Sequence, residues 1–146
     1  MIAMILVGSA MIILTTMIHA GFTMAGIGVL RTRLRDRRLS TGNWRPAFVL
    51  SLFVLWKFLA SVVEVWIWSG LYLLLGVFDS VEAATYFSTV TFTTLGYGDI
   101  VLEPPLRLLA AFQAANGLFL FGWSTALVFA IIQWLYRSGP DAPAQT

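Results

Sequence analysis

Seven consecutive residues, Thr93 to Asp99, read TTLGYGD and hold most of the chemistry this chain could offer. Gly96 and Gly98 lack a Cβ, so both can take a positive φ that other residues resist. A glycine-tyrosine-glycine triplet by itself reads as a loop turn. Its placement says more. Ser80 to Thr93 reads as a helix, with Asp79 as N-cap and Glu82 three residues on in a variant of the capping box. At 1.5 Å per residue such a helix is about 20 Å long, so it can enter a bilayer and cannot cross it. Non-helical backbone at membrane depth is tolerated only where protein buries it or where it lines a water-filled cavity. The sequence therefore predicts a re-entrant loop.

Other chemistry is sparse. There is no Cys, which excludes disulfides, thiolate nucleophiles and Cys-ligated zinc together. His19 lies alone in one apolar run, and Lys57 and Glu64 interrupt another. These three intramembrane polar residues come with no nucleophile and no metal-ligand cluster, so no enzyme and no cofactor are expected. A lone His on an apolar helix is most simply a packing residue. Lys57 is expected to snorkel to the cytoplasmic interface, the alternative being a direct pair with Glu64, seven residues on along the same helical face, with both side chains extended. Glu64 has no such escape and should face protein, either the first helix, where Thr15, Thr16 and His19 offer partners, or the back of the short helix at 80–93.

The elements around these residues follow from composition. Of 146 residues, 59% are hydrophobic and 11% charged, against about 25% charged in an average soluble chain, which excludes a soluble domain. Residues 1–30 contain no acid or base except His19 and form a first transmembrane helix. Its positive charges come after the apolar run, unlike a cleaved signal peptide, which begins with them. Residues 31–46 carry Arg31, Arg33, Arg35, Arg37, Arg38 and Arg45 against Asp36, a balance of +5. This reads as an exposed, turn-forming loop. Flanked by membrane spans and without interleaved aromatics, it favours anionic lipid headgroups over nucleic acid. Residues 47–78 form an outer helix longer than a perpendicular span needs, with Trp66, Trp68 and Tyr72 placed for one interface and Trp44 for the other. Residues 106–137 form the last span, followed by a polar tail, 138–146. Between these spans Asp79, Glu82, Asp99 and Glu103 stand against Arg107, a balance of −3. The positive-inside rule puts the basic loop and the C-terminus in the cytoplasm and the N-terminus outside.

With that frame, TTLGYGD after a short helix closely resembles the selectivity filter of potassium channels, whose common form is TVGYGD, and the resemblance runs from Ala47 to Arg137. It implies a pore domain at 47–137 with a pore helix at 80–93, a filter at 94–99 and an inner helix at 106–137. The fold class is then an all-α membrane protein of three transmembrane helices plus a re-entrant pore helix, assembling as a homotetramer in a prokaryotic inner or plasma membrane. Four chains would supply stacked oxygen rings from the carbonyls of Thr94, Leu95, Gly96 and Tyr97, with Gly98 as the second permissive glycine and the Thr94 hydroxyl closing the innermost ring. K+ is the permeant ion. The alternative is a non-conducting accessory or scaffold protein that retains the fold.

Several positions depart from the family pattern. Leu95 replaces the commoner Val. Tyr86 and Phe87 stand where many relatives carry a Trp pair, so Tyr86 could bond Asp99, while Phe87 cannot donate to Tyr97 and leaves that role to Thr91. Thr93, Thr91, Tyr86, Phe87 and Asp99 make up the filter's support. Val90 stands where some bacterial relatives place a buried Glu, and the first helix is additional to the two-helix plan. Gly117, 19 residues past Gly98, matches the family's hinge glycine, with Gly122 about a turn later; helix packing is the equally weighted alternative. Leu118, Phe121 and Thr125, at i, i+3 and i+7, would line the cavity.

Overall fold

The computed structural model describes residues 1–35 and 44–137, and all four elements in them are helices: α1 (Ile2–Arg35), α2 (Arg45–Leu74), α3 (Val81–Phe92) and α4 (Arg107–Arg137). Three of them are long and apolar enough to cross a membrane, over Ile2–Thr32, Ala47–Leu74 and Arg107–Trp134. Residues 36–43 of the basic loop and the whole tail 138–146 lie outside the described residues, and with them the expected headgroup contacts of Arg37 and Arg38.

The boundaries differ from the sequence reading for identifiable reasons. The first helix continues through Arg35, so Arg31 to Arg35 are helical and not part of a turn-forming loop. Pro46 near the start of α2 is compatible with a first turn, where its missing N–H has no partner to lose. The same helix stops at Leu74, four residues short of the expected end. Gly76, at φ +65°, lets the Gly76 and Val77 amides fold back onto the Leu73 and Tyr72 carbonyls at 3.0 and 2.9 Å, a Schellman-type stop. For α3 the N-cap is Ser80 and not Asp79: Ser80 is extended and its Oγ accepts from the Ala83 amide at 3.1 Å.

Helix α1 packs on α2 and α4, and α3 sits against the same two helices. The core joins Val65, Trp68 and Tyr72 of α2 to Phe87 and Phe92 of α3 and to Leu109 and Leu120 of α4. Trp68 and Tyr72 are wholly buried among the helices and do not present their rings outward as interfacial aromatics would, whereas Trp66 is exposed. The buried positions of α1 are Gly8, Met11, Thr15, His19, Thr23 and Gly26, three or four residues apart on one face. Apart from Met11 this stripe is small or polar, and most of the large apolar side chains point outward. That is the arrangement a helix adopts when lipid, and not water, surrounds it.

Candidate functional site

Helix α3 is too short to span a bilayer and is held at its middle by a buried polar network. Ser88 Oγ donates to the Val65 carbonyl of α2 at 2.7 Å. Gln113 of α4 donates through Nε2 to Ser88 Oγ at 2.7 Å and to the Ser88 carbonyl at 3.1 Å, while its Oε1 accepts from the Tyr72 hydroxyl at 2.8 Å. Tyr72, Ser88 and Gln113 are wholly buried. Sequence reasoning missed all three as site residues, although a Gln inside an apolar span is itself a signal that a polar partner exists. Gln113→Leu would leave the buried Tyr72 hydroxyl without an acceptor, costing about 1–3 kcal/mol, and would take from Ser88 its tie to α4 while leaving its bond to Val65. A lower unfolding temperature in detergent should report it, and an unchanged one would show that the network does not hold α3.

Where α3 ends, the backbone changes character. The amides of Thr93 and Thr94 bond the carbonyls of Thr89 and Thr91, both at 3.0 Å, and those of Leu95 and Gly96 both turn back to Val90, at 3.0 and 3.2 Å. Beyond them φ is positive at every second residue: +59° at Thr94, +54° at Gly96 and +80° at Gly98. Alternation of this kind turns successive carbonyls to one side of the strand. For glycine the conformation is free of Cβ conflict, whereas for the β-branched Thr94 it is strained, and such strain concentrates at functional sites. Among the described residues, no hydrogen bond ends on the carbonyls of Thr94 to Gly98. The whole run Thr93 to Asp99 is uncovered on the single chain.

The outer end is pinned by Tyr86, whose hydroxyl donates to Asp99 Oδ2 at 2.6 Å. This bond holds the Asp99 carboxyl below the usual carboxylate range and raises the Tyr86 phenol. Thr93 Oγ1 donates to the Thr89 carbonyl at 2.7 Å, and Thr91 contributes its carbonyl to the end of the helix. Phe87 does not belong to this cluster: buried, it lies 5.2 Å from the Tyr72 ring and 5.3 Å from Phe78, on the side facing α2. Val90, also buried, serves through its carbonyl.

On α4, Leu118 and Thr125 are uncovered, and Thr125 Oγ1 bonds the Phe121 carbonyl at 2.9 Å. Phe121 is partly buried edge-on against Phe92, ring centroids 5.6 Å apart. Gly117 is buried where α4 meets the end of α3, and a Cβ there would overlap the Phe92 carbonyl oxygen. Gly122 has open space around its missing Cβ. Far from this loop, the three intramembrane polar residues come together. Glu64 meets His19 of α1, with Oε1 2.8 Å from Nδ1. Lys57 does not snorkel: it is buried, and Nζ lies 2.7 Å from both His19 Nε2 and Thr23 Oγ1.

Three spanning helices around a short helix and an uncovered, glycine-bent loop define a pore-loop membrane protein. A family model described as an ion channel matches residues 49–133, more than half of the chain, and the protein belongs to that family. It is an integral membrane protein with an ion-channel domain. No curated protein and no solved structure matches the chain.

Proposed function

We propose that the protein is a potassium-selective channel, a homotetramer in which residues 94–99 of four chains form one filter on the symmetry axis. The observation that carries this reading is the loop itself: alternating positive φ at Thr94, Gly96 and Gly98, amides of 94–96 bonded back to α3, and carbonyls left unspent. Hard cations take oxygen ligands, and four copies of such a strand offer rings of neutral carbonyl oxygens that replace a hydration shell. The carbonyls of Thr94, Leu95, Gly96 and Tyr97, with the Thr94 hydroxyl, are the proposed K+ sites. Leu118, Phe121 and Thr125 line the cavity beneath. The orientation puts Asp99 and the filter mouth outside and the basic loop in the cytoplasm, in contact with anionic headgroups.

Purified protein in liposomes under a K+ gradient tests the reading. Expected is K+ flux with Na+ strongly excluded. A tetramer that folds and passes neither ion would support the accessory or scaffold reading.

Asp99 adds a pH dependence. A carboxylate whose pKa is depressed by a hydrogen bond stays charged as pH falls and loses its contribution only when pH passes its own lowered value. Tyr86→Phe removes the donor and lets Asp99 return toward the ordinary range. Flux should then fall off at a higher external pH than in the wild type. Superimposable pH–flux curves would show that the Tyr86–Asp99 bond does not tune the mouth.

A further inference from the structure

The N-terminal helix lies outside the region matched by the ion-channel family, residues 49–133, yet its contact with the rest of the chain includes, beside apolar packing, the costliest groups in the membrane. His19 and Glu64 are both wholly buried, and Lys57 is 4% exposed. A carboxylate can only accept and an ammonium can only donate. With Glu64 ionised and Lys57 protonated, contacts of 2.8 Å from Oε1 to Nδ1 and 2.7 Å from Nζ to Nε2 assign the His19 proton to Nδ1 and the acceptor role to Nε2. The neutral ring then bridges a carboxylate and an ammonium, and the three together are uncharged. Breaking such a chain at one member strands a charge away from water.

The ring reaches one more element. Ser124 Oγ of α4 lies 3.1 Å from His19 Nε2, where it shares the ring's one acceptor lone pair with the nearer Lys57 Nζ in a three-centre bond, and Trp123 lies against the ring at 5.4 Å. About two turns away, Asn116 Nδ2 donates to Thr15 Oγ1 at 2.7 Å, a second polar tie between α1 and α4. At the level of Ser124, α4 is loosely seated on α2, with a cleft of about 320 Å³ between them bordered by Lys57, Ser61, Ser124 and Thr125. Glu64 Oε2 is buried with no partner among the described residues, a cost that apolar packing would have avoided. The polar stripe thus does something packing alone would not: it ties α1 to the back of the helix whose other face carries Leu118 and Thr125.

We propose that His19 is a positioning residue for the pore. Its ring, set by Glu64 and Lys57, holds Ser124 and restrains α4, so that α1 acts as a built-in brake on ion passage. This rests on the channel reading above, and the test separates the two.

Ser124→Ala removes one hydroxyl and leaves the Glu64–His19–Lys57 chain complete. In liposomes the full-length variant should pass K+ about threefold faster or more, the scale of one hydrogen bond, with unchanged preference over Na+. Ser124→Thr, which keeps the hydroxyl, should return the wild-type rate. Flux in Ser124→Ala equal to wild type overturns the brake and leaves the channel standing, whereas no flux from any of the three proteins overturns the channel reading and the brake with it. A second readout needs no conduction. His19 is the chain's one histidine, so imidazole ¹⁵N resonances of labelled protein in bilayers belong to it alone. Expected at neutral pH is a ring protonated on Nδ1 only, with Nε2 shifted in Ser124→Ala. A ring protonated on Nε2 overturns the bridge whether or not the protein conducts.

Discussion

Gly96→Ala should abolish selective K+ flux while leaving the helices intact. At φ +54° the new Cβ pays a conformational cost of about 1–2 kcal/mol, and nothing within 4 Å on the same chain adds a clash. The penalty is thus in the backbone, at the residue whose amide bonds Val90. In a tetramer it is incurred four times around one ring, roughly 4–8 kcal/mol in all. The strand can relieve it by letting φ return to negative values, which turns the carbonyl out of line with its neighbours. The measurement is liposome flux with K+ and with Na+, beside circular dichroism on the same sample. Wild-type K+ flux and selectivity in a folded Gly96→Ala tetramer would remove residues 94–98 as the ion site.

Gly117→Ala should do its damage through packing, and the damage should be large. The added Cβ would overlap the Phe92 carbonyl oxygen, and the obstacle is backbone at the end of α3, not a side chain that can swing away. Overpacking in a tight interior costs about 1–3 kcal/mol, and here it pushes α4 from the residue that immediately precedes Thr93 and the filter. Lower thermal stability and loss of the assembled form on native gels should appear together with altered selectivity. Gly122→Ala is the internal control: its Cβ meets open space on the single chain, and Ala is the better helix former by about 1 kcal/mol, so stability should be kept or improved. If Gly117→Ala assembles normally and only its opening changes, the hinge reading is the right one and the close approach at Phe92 yields without cost.

What could be read from residue order was what depends on composition and on neighbours in sequence. Three apolar runs separated by charged segments are spans whatever they pack against, because no soluble core of this size hides them. The loop was legible for the same reason: Gly96 and Gly98 state locally where positive φ is permitted, and the structure adopts it at both. The third member, Thr94 at +59°, was not legible, since a β-branched residue takes that conformation only when bonds from α3 impose it.

The rest was decided by how the helices are rotated and paired. Tyr72 and Trp68 look like interfacial aromatics until α3 and α4 cover them. Lys57 reads as a snorkelling lysine because its own helix offers a route to the cytoplasmic interface, and only the seating of α1, bringing His19 to within 2.7 Å, gives it a better acceptor inside. The sequence offers His19 among the partners of Glu64, 45 residues away, and the structure makes that bond, but nothing in residue order marks Lys57, or Ser124 105 residues from His19, as a partner of the same ring. Nor does the first helix announce which face it buries. In lipid both faces can be apolar, so the usual hydrophobic stripe is absent, and the protein-facing side is marked, Met11 apart, by small and polar residues whose worth depends on what stands opposite them. Local backbone permission and span length belong to the sequence; the pairing of Glu64, His19, Lys57 and Ser124 exists only once three helices share one interior.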